Sequence, residues 1–241
     1  MIRIGHASID ENGKIAGGEA GDQNGKEVKI SSWYNKPFSY ILRPVDIIMA
    51  EKMARACESL CQNDCVGYNQ NKRNTLHTCL RAYGYNYPMF KVPCETDCSA
   101  FMTVCAIIGG ADKLEYPASG NAPATSTMKT AFMKTNKFYY IDNSQIVHTD
   151  KHVCRGDILV KPGSHTVMVL DNGKYYNELF VGTKGPNVVT LQSRLAAKGY
   201  TVGDIDGDFG KQTYIAVAEF QSDNGLVVDG IVGPKTWEKL K

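Results

Sequence analysis

No uninterrupted apolar run in this chain approaches the roughly 20 residues that a membrane-spanning helix requires. Net charge is also nearly absent, with 27 Lys and Arg against 25 Asp and Glu. That balance lacks the basic footprint of a protein whose main partner is nucleic acid. The first 25 residues are polar and Gly-rich, without the basic-then-apolar layout of a secretory leader. The expectation is a chain made in the cytoplasm, where disulfides are rare. With 43% hydrophobic and 22% charged residues, long disordered tails and collagen-like repeats are excluded as well. A length of 241 residues allows one large or two modest domains.

Eight cysteines are present, at 57, 61, 65, 79, 94, 98, 105 and 154. Zinc sites favour C-x2-C pairs, or such a pair followed by paired histidines. Here the tight spacings are C-x3-C, and the nearest histidine, His77, stands alone. No metal or cofactor is expected. Cys57, Cys61 and Cys65 recur every four residues, the pattern of a stripe of small core side chains on a helix.

The first 30 or so residues read as an irregular arm or short strands. Helical periodicity predicts helices over 45–62, 69–85 and 95–110, the last capped by Thr96 or Asp97 and stopped by Gly109-Gly110. Residues 117–127 read as a loop. Strands are expected at 157–161, 165–170 and 174–180, joined by Pro162-Gly163 and Asp171-Asn172-Gly173. The Gly/Pro segment 181–187 reads as a linker between a domain of 1–180 and a module of 188–241.

The module contains a repeat. "DGDFGKQT" (206–213) and "DGIVGPKT" (229–236) share Asp-Gly-x-apolar-Gly-x-x-Thr, each followed by a helical segment and preceded by a helix over 187–200. "DIDGDFG" lacks the distal bidentate Glu of a calcium loop, so its glycines are read as turn formers. The tail resembles a three-helix peptidoglycan-binding domain in both Asp-Gly-x-x-Gly copies, in Phe220-Gln221 and in the closing Trp237. The resemblance implies attachment to the cell wall, with Asp206, Phe209, Gln221, Asp229 and Trp237 as candidate contacts. Each of these also has a bland reading as a builder of turns or core.

In the larger domain, "TDCSAF" (96–101) sets Cys98 at the first turn of an apolar helix. Unpaired N–H groups and the dipole there stabilise an anion, which lowers a thiol pKa and favours the nucleophilic thiolate. A cysteine nucleophile needs a base, oriented by a third polar group. Of five histidines, His6 sits in the arm, His77 in a helix, and His148 and His152 in polar connections; only His165 opens a strand. A three-residue hairpin loop over 171–173 puts Asn177 on the face of His165, within diagonal reach. A two-residue Asn-Gly turn would instead turn Tyr176 and Glu178 toward it. Asp171 is too far along the strand, and Asp97 reads as a helix cap.

These segments resemble the NlpC-type cysteine peptidases of bacterial cell walls, papain relatives that include the CHAP amidases. Asp97-Cys98-Ser99 is similar to their nucleophile motif, and "RGDILVKPGSHTVMVLDNGKYYN" (155–177) to their Gly-Asp, His and third-polar-residue segment. With "GYNQ" (67–70) and "GGEAGDQNGKEV" (17–28), the pattern is similar to catalytic domains of phage and prophage endolysins. The resemblance implies an α+β, papain-like domain followed by the three-helix module. It implies Cys98, His165 and Asn177 as the catalytic set and Tyr68 in the substrate cleft. Backbone N–H groups of Cys98 and Ser99 would serve as oxyanion donors. The implied substrate is a peptidoglycan amide, within the stem peptide or, alternatively, between N-acetylmuramic acid and L-alanine. No nucleic acid or membrane partner is implied, and such a protein is made in the host cytoplasm and acts at the wall. A catalytically inactive wall-binding protein and a zinc protein built on the cysteine-rich helices are the competing readings.

Overall fold

The computed structural model describes residues 1–241 apart from 35, 118, 143–146 and 175–176, and gives only the backbone of residue 186. Eight strands are present among the described residues: β1 (Arg3–Ala7), β2 (Val28–Ser32), β3 (Tyr40–Pro44), β4 (Val66–Tyr68), β5 (Cys94–Thr96), β6 (Phe138–Ile141), β7 (Ile158–Lys161) and β8 (His165–Val169). Six form an antiparallel sheet in the order β2-β1-β8-β7-β3-β6, while β4 and β5 pair in parallel as a separate ribbon.

β8 lies between β1 and β7, and all five of its residues are buried. That explains its nearly continuous apolar sequence: a strand with both faces covered has no reason to alternate with polar residues. Its side chains still divide by face. Met168 joins Ala7, Leu42, Ile158 and Val160 in a core beneath the helices. Val167 and Val169 join Ile4, Ile41 and Leu159 in a second core on the far side.

The helices over the first face are α1 (Ile47–Cys61), α2 (Thr75–Ala82), α3 (Cys98–Gly109) and α4 (Met128–Met133). Asp46 caps α1, accepting from the N–H groups of Ile48 and Met49. The four-residue spacing of Cys57 and Cys61 turns both thiols onto β1. A Cβ at Gly5 would stand 2.3 Å from Cys57 Sγ, so glycine is what lets α1 approach the strand this closely. Arg155 bonds Glu51 and Glu58 of α1, tying that helix to the β7 end of the sheet.

The expected helix over 69–85 is shorter, beginning at Thr75, because 66–68 is a strand. The expected strand over 174–180 does not follow β8. Residues 175–176 lie outside the described residues; of the remainder, only Leu179 makes a β-type contact, an isolated bridge to Val232. β8 takes β1 as its neighbour instead, a partner some 160 residues earlier.

The C-terminal module has α5 (Pro186–Ala197), α6 (Lys211–Asp223) and α7 (Pro234–Lys239). They enclose a core of Leu191, Leu195, Phe209, Val217, Phe220 and Val232, which also takes in Leu179. The segment expected as a linker is bonded to the first repeat, Phe209 N–H donating to the Thr183 carbonyl and Gly185 N–H to the Gly207 carbonyl, and just ahead of it Leu179 bridges Val232 of the second. Phe180, the next residue, packs against the second core of the larger domain, its ring 4.4 Å from that of His152.

Candidate active site

β5 delivers the chain to Asp97, whose backbone is extended and whose carboxylate accepts the Ala100 N–H at 2.7 Å. This is an N-cap, so Cys98 becomes the first residue of α3. Arg73 holds the cap from outside. Its Nε lies 2.6 Å from Asp97 Oδ2, and its terminal nitrogen donates to Ser99 Oγ at 2.7 Å. Ser99 Oγ also donates to Asp97 Oδ1 at 3.0 Å. The Ser99 hydroxyl is therefore committed to the cap. The backbone N–H of Ser99, the group expected as an oxyanion donor, stands close enough to the Cys98 sulfur to favour the ionised form.

The backbone amide of Thr166 on β8 stands close enough to the sulfur to favour its ionised form, which sets the thiol near the start of β8, where His165 lies. Cys98 is 6% exposed and His165 9%. Tyr68 is buried in β4 and accepts a bond from Gln70 at its hydroxyl, while its backbone N–H donates to Glu27. Burial pushes its phenol up to about 12, and the nearby Cys98 adds to the rise. Tyr34, which sequence reasoning passed over, is raised to about 12 by the same two causes. Cys98, Tyr34, Tyr68 and the start of β8 thus surround one point.

Electrostatics here differ from the expectation. Burial and, after it, the neighbouring Asp97 push the Cys98 thiol up to about 11, against the lowering pull of the Thr166 and Ser99 amides and Arg73. Desolvation of the anion outweighs the helix start. Burial, then His6 and Lys36, hold His165 down to about 3. At neutral pH the thiol and the imidazole are both uncharged.

Asn177 is not part of this cluster. It is exposed and lines a groove of about 500 Å³ with Arg43, Asp46, Tyr139, Arg155 and Asn172, off the end of β8 remote from His165. At about 3.3 Å per strand residue, the length of β8 alone separates the two ends by roughly 15 Å. The register that joined Asn177 to His165 required a hairpin after β8, and among the described residues β8 pairs only with β1 and β7. What lies beside His165 is His6 of β1, its ring edge-to-face at 5.5 Å, with His6 Nε2 2.7 Å from Ser31 Oγ on β2. The segment "RIGHA" carries no apolar–polar alternation, so nothing in its local pattern announced a strand bearing His6.

In the module, Gln192 and Gln221 each read one Asp-Gly turn. Gln221 Nε2 donates to Asp229 Oδ1 at 2.9 Å and to the Ile231 carbonyl at 3.0 Å, while its carbonyl accepts the Gly230 N–H at 2.9 Å. Gln192 repeats this with Asp206, the Asp208 carbonyl and the Gly207 N–H. Gly207 and Gly230 adopt φ of +74° and +68°, which side-chain-bearing residues resist. Gln221 and Phe209 are buried, and Asp206 and Asp229 cap these turns. The structure gives Gln221 and Phe209 the other role read for them, as builders of turns and core. Trp237 is half-buried, with Arg194 over its ring at 5.6 Å.

All eight cysteines are free thiols. Among the described residues no three His, Cys, Asp or Glu side chains converge as metal ligands, and no helix is long and apolar enough to cross a membrane.

The chain is similar to known proteins in two blocks. Residues 4–176 match the endolysin-like domain family and 184–240 a peptidoglycan binding domain family. A spore cortex-lytic enzyme of Bacillus cereus is 48% identical over 59 residues, 24% of this chain and 23% of that protein. N-acetylmuramoyl-L-alanine amidase CwlM of Mycobacterium tuberculosis is 42% identical over 65 residues, 27% of this chain and 16% of that one. The solved endolysin of Burkholderia phage AP3 is 47% identical over 27% of this chain and 24% of its own, with a TM-score of 0.26. The chain thus spans under a quarter of these relatives' length, in alignments about as long as its C-terminal module. With its larger domain matched almost from end to end, the chain belongs to the endolysin-like domain family.

Proposed function

We propose that this protein is a peptidoglycan hydrolase of papain-like, NlpC-related type that cuts a stem-peptide amide with Cys98 as nucleophile and His165 as base. The carrying observation is the sulfur at the start of α3, close enough to the backbone amide that follows His165 for that amide to favour its ionised form. The family match and the peptidoglycan binding module support the substrate.

Because the resting pair is neutral, His165 takes the thiol proton as the sulfur attacks the carbonyl carbon. The carbonyl π pair moves to oxygen, and N–H groups at the start of α3 stabilise that charge. The imidazolium then protonates the amide nitrogen, the C–N bond breaks and the amine leaves. Water, deprotonated by His165, opens the thioester and restores the thiol. Asp97 stays outside the chemistry, occupied by its cap and by Arg73. Tyr68 and Tyr34 wall the cleft.

Purified protein should clear a wall suspension, and Cys98→Ala should still sediment with walls without clearing them. Clearing by Cys98→Ala would overturn the mechanism. Mass spectrometry of the released muropeptides assigns the bond: a new amino terminus deep in the stem identifies a peptidase, and one on L-alanine an amidase.

A further inference from the structure

We infer that His6 is the positioning residue for His165, filling the role that the sequence pattern gave to Asn177. The inference deepens the hydrolase reading and rests on it for its kinetic arm. β1 pairs with β8 as Ile4 with Val169 and Gly5 with Met168. One further step along this register sets His6 opposite Val167, so His165 is its diagonal neighbour on the same face. On the other side, β2 pairs Ile4 with Ser31 and His6 with Lys29, which makes Ser31 the matching diagonal neighbour of His6. Ser31, His6 and His165 therefore run obliquely across three adjacent strands.

The contacts follow that line. His6 Nε2 lies 2.7 Å from Ser31 Oγ, which fixes one end of the ring. The rings of His6 and His165 meet edge to face with centroids 5.5 Å apart. A straight N–H···N bond of about 3 Å between two imidazoles sets their centroids about 5.2 Å apart. A small turn of His165 closes that gap.

His6 is only 5% exposed, and its Nδ1 is buried with no hydrogen-bond partner among the described residues. A buried ring nitrogen left open in this way costs free energy unless something takes it up. Burial first, then Lys29 and Lys36, hold His6 down to about 4, so it stays neutral and one nitrogen remains a lone-pair acceptor. When His6 Nε2–H donates to Ser31, that acceptor is Nδ1. It then receives an N–H of His165, which fixes the tautomer and leaves the other His165 nitrogen bare for the thiol proton. When His165 becomes imidazolium, the neutral His6 still accepts its N–H, so the ring keeps its orientation through the proton transfer.

The test separates this role from packing. His6→Phe keeps an aromatic ring against His165 but removes both nitrogens. In the full chain it should lower kcat on wall fragments roughly tenfold to a hundredfold with KM little changed, and His6→Asn should recover part of the loss. Ser31→Ala, a change at a half-buried position, should reduce kcat more mildly in the same direction. Independently of activity, the side-chain nitrogen resonances of His165 should report one tautomer in Cys98→Ala protein and a mixture in Cys98→Ala with His6→Phe. Wild-type kcat in His6→Phe, or an unchanged single tautomer, would overturn the inference. Should the wild type clear no walls, the hydrolase reading fails, while the tautomer measurement still decides the role of His6; should His6→Phe fail to fold, Ser31→Ala carries the same measurement.

Discussion

Glu95 presents an unusual charge problem, and removing it should make the protein more stable. Its side chain is 1% exposed, and both carboxylate oxygens are buried without a hydrogen-bond partner among the described residues. It stands opposite Gly67 on the β4–β5 ribbon, one Oε only 3.0 Å from where a Gly67 Cβ would sit. Burial, and then Glu27, raise its pKa to about 7, with Glu11 and Asp10 adding and Lys72 opposing. The folded protein thus holds this proton above the ordinary carboxyl value of 4.5. The resulting stabilisation is fully present below the unfolded value, fades as pH rises from there to about 7, and is gone above that. At about 1.36 kcal/mol per decade, the difference between acid and alkaline limits is about 3 kcal/mol. Glu95→Gln abolishes this dependence, so the variant should unfold at higher urea than wild type at pH 8, by about 1–3 kcal/mol. At pH 5 the two should agree within about 1 kcal/mol. Urea titrations followed by circular dichroism at both pH values make the comparison. Equal destabilisation of Glu95→Gln at pH 5 and pH 8 would refute the reasoning, since it would mean that the carboxylate has a partner when ionised.

Three further outcomes are expected. Gly5→Ala should cost about 1–3 kcal/mol in a urea titration, because its Cβ meets Cys57 Sγ, and adding Cys57→Ala should return part of that; a cost below about 0.5 kcal/mol would show that α1 does not press on β1. Gln192→Ala and Gln221→Ala should each destabilise the C-terminal module by about 2–4 kcal/mol, since each leaves a buried turn amide and its companions unpaired. Proteolysis of the module would detect this, and indifference at either position would remove the matched role of the two glutamines. Finally, kcat/KM against pH should hold its plateau well below the ordinary histidine value of 6.5, since His165 is held down to about 3. An acid limb near 6.5 would show that the imidazole is more solvated than its burial indicates.

Elements written in local pattern were legible from the sequence. The apolar spacing of 45–62 foretold α1, and the apolar run after Asp97 foretold α3. The Asp-Gly repeat announced the turns that Gln192 and Gln221 hold. β3, β4, β5 and β6 were not legible, being three to five residues long and without clear alternation. The site was harder still, because sheet partners are chosen by the whole fold. A local hairpin would have given Asn177 to His165, whereas β8 pairs with a strand at the other end of the domain and receives His6. Nor does sequence reveal solvation: a helix start argues for a thiolate, and only the closed surroundings of Cys98 show that burial wins.

Leu179 and Phe180 are consecutive, yet one is buried in the C-terminal core and the other lies against the core of the larger domain. Side chains of neighbouring residues leave opposite sides of an extended backbone, so this dipeptide works as a rivet through two plates. Under the wall-hydrolase reading, the anchor then acts as a fixed outrigger instead of a mooring line. Once the module has gripped, the thiol is presented at a single height and heading, and a strand outside that arc is reached only by letting go and landing again.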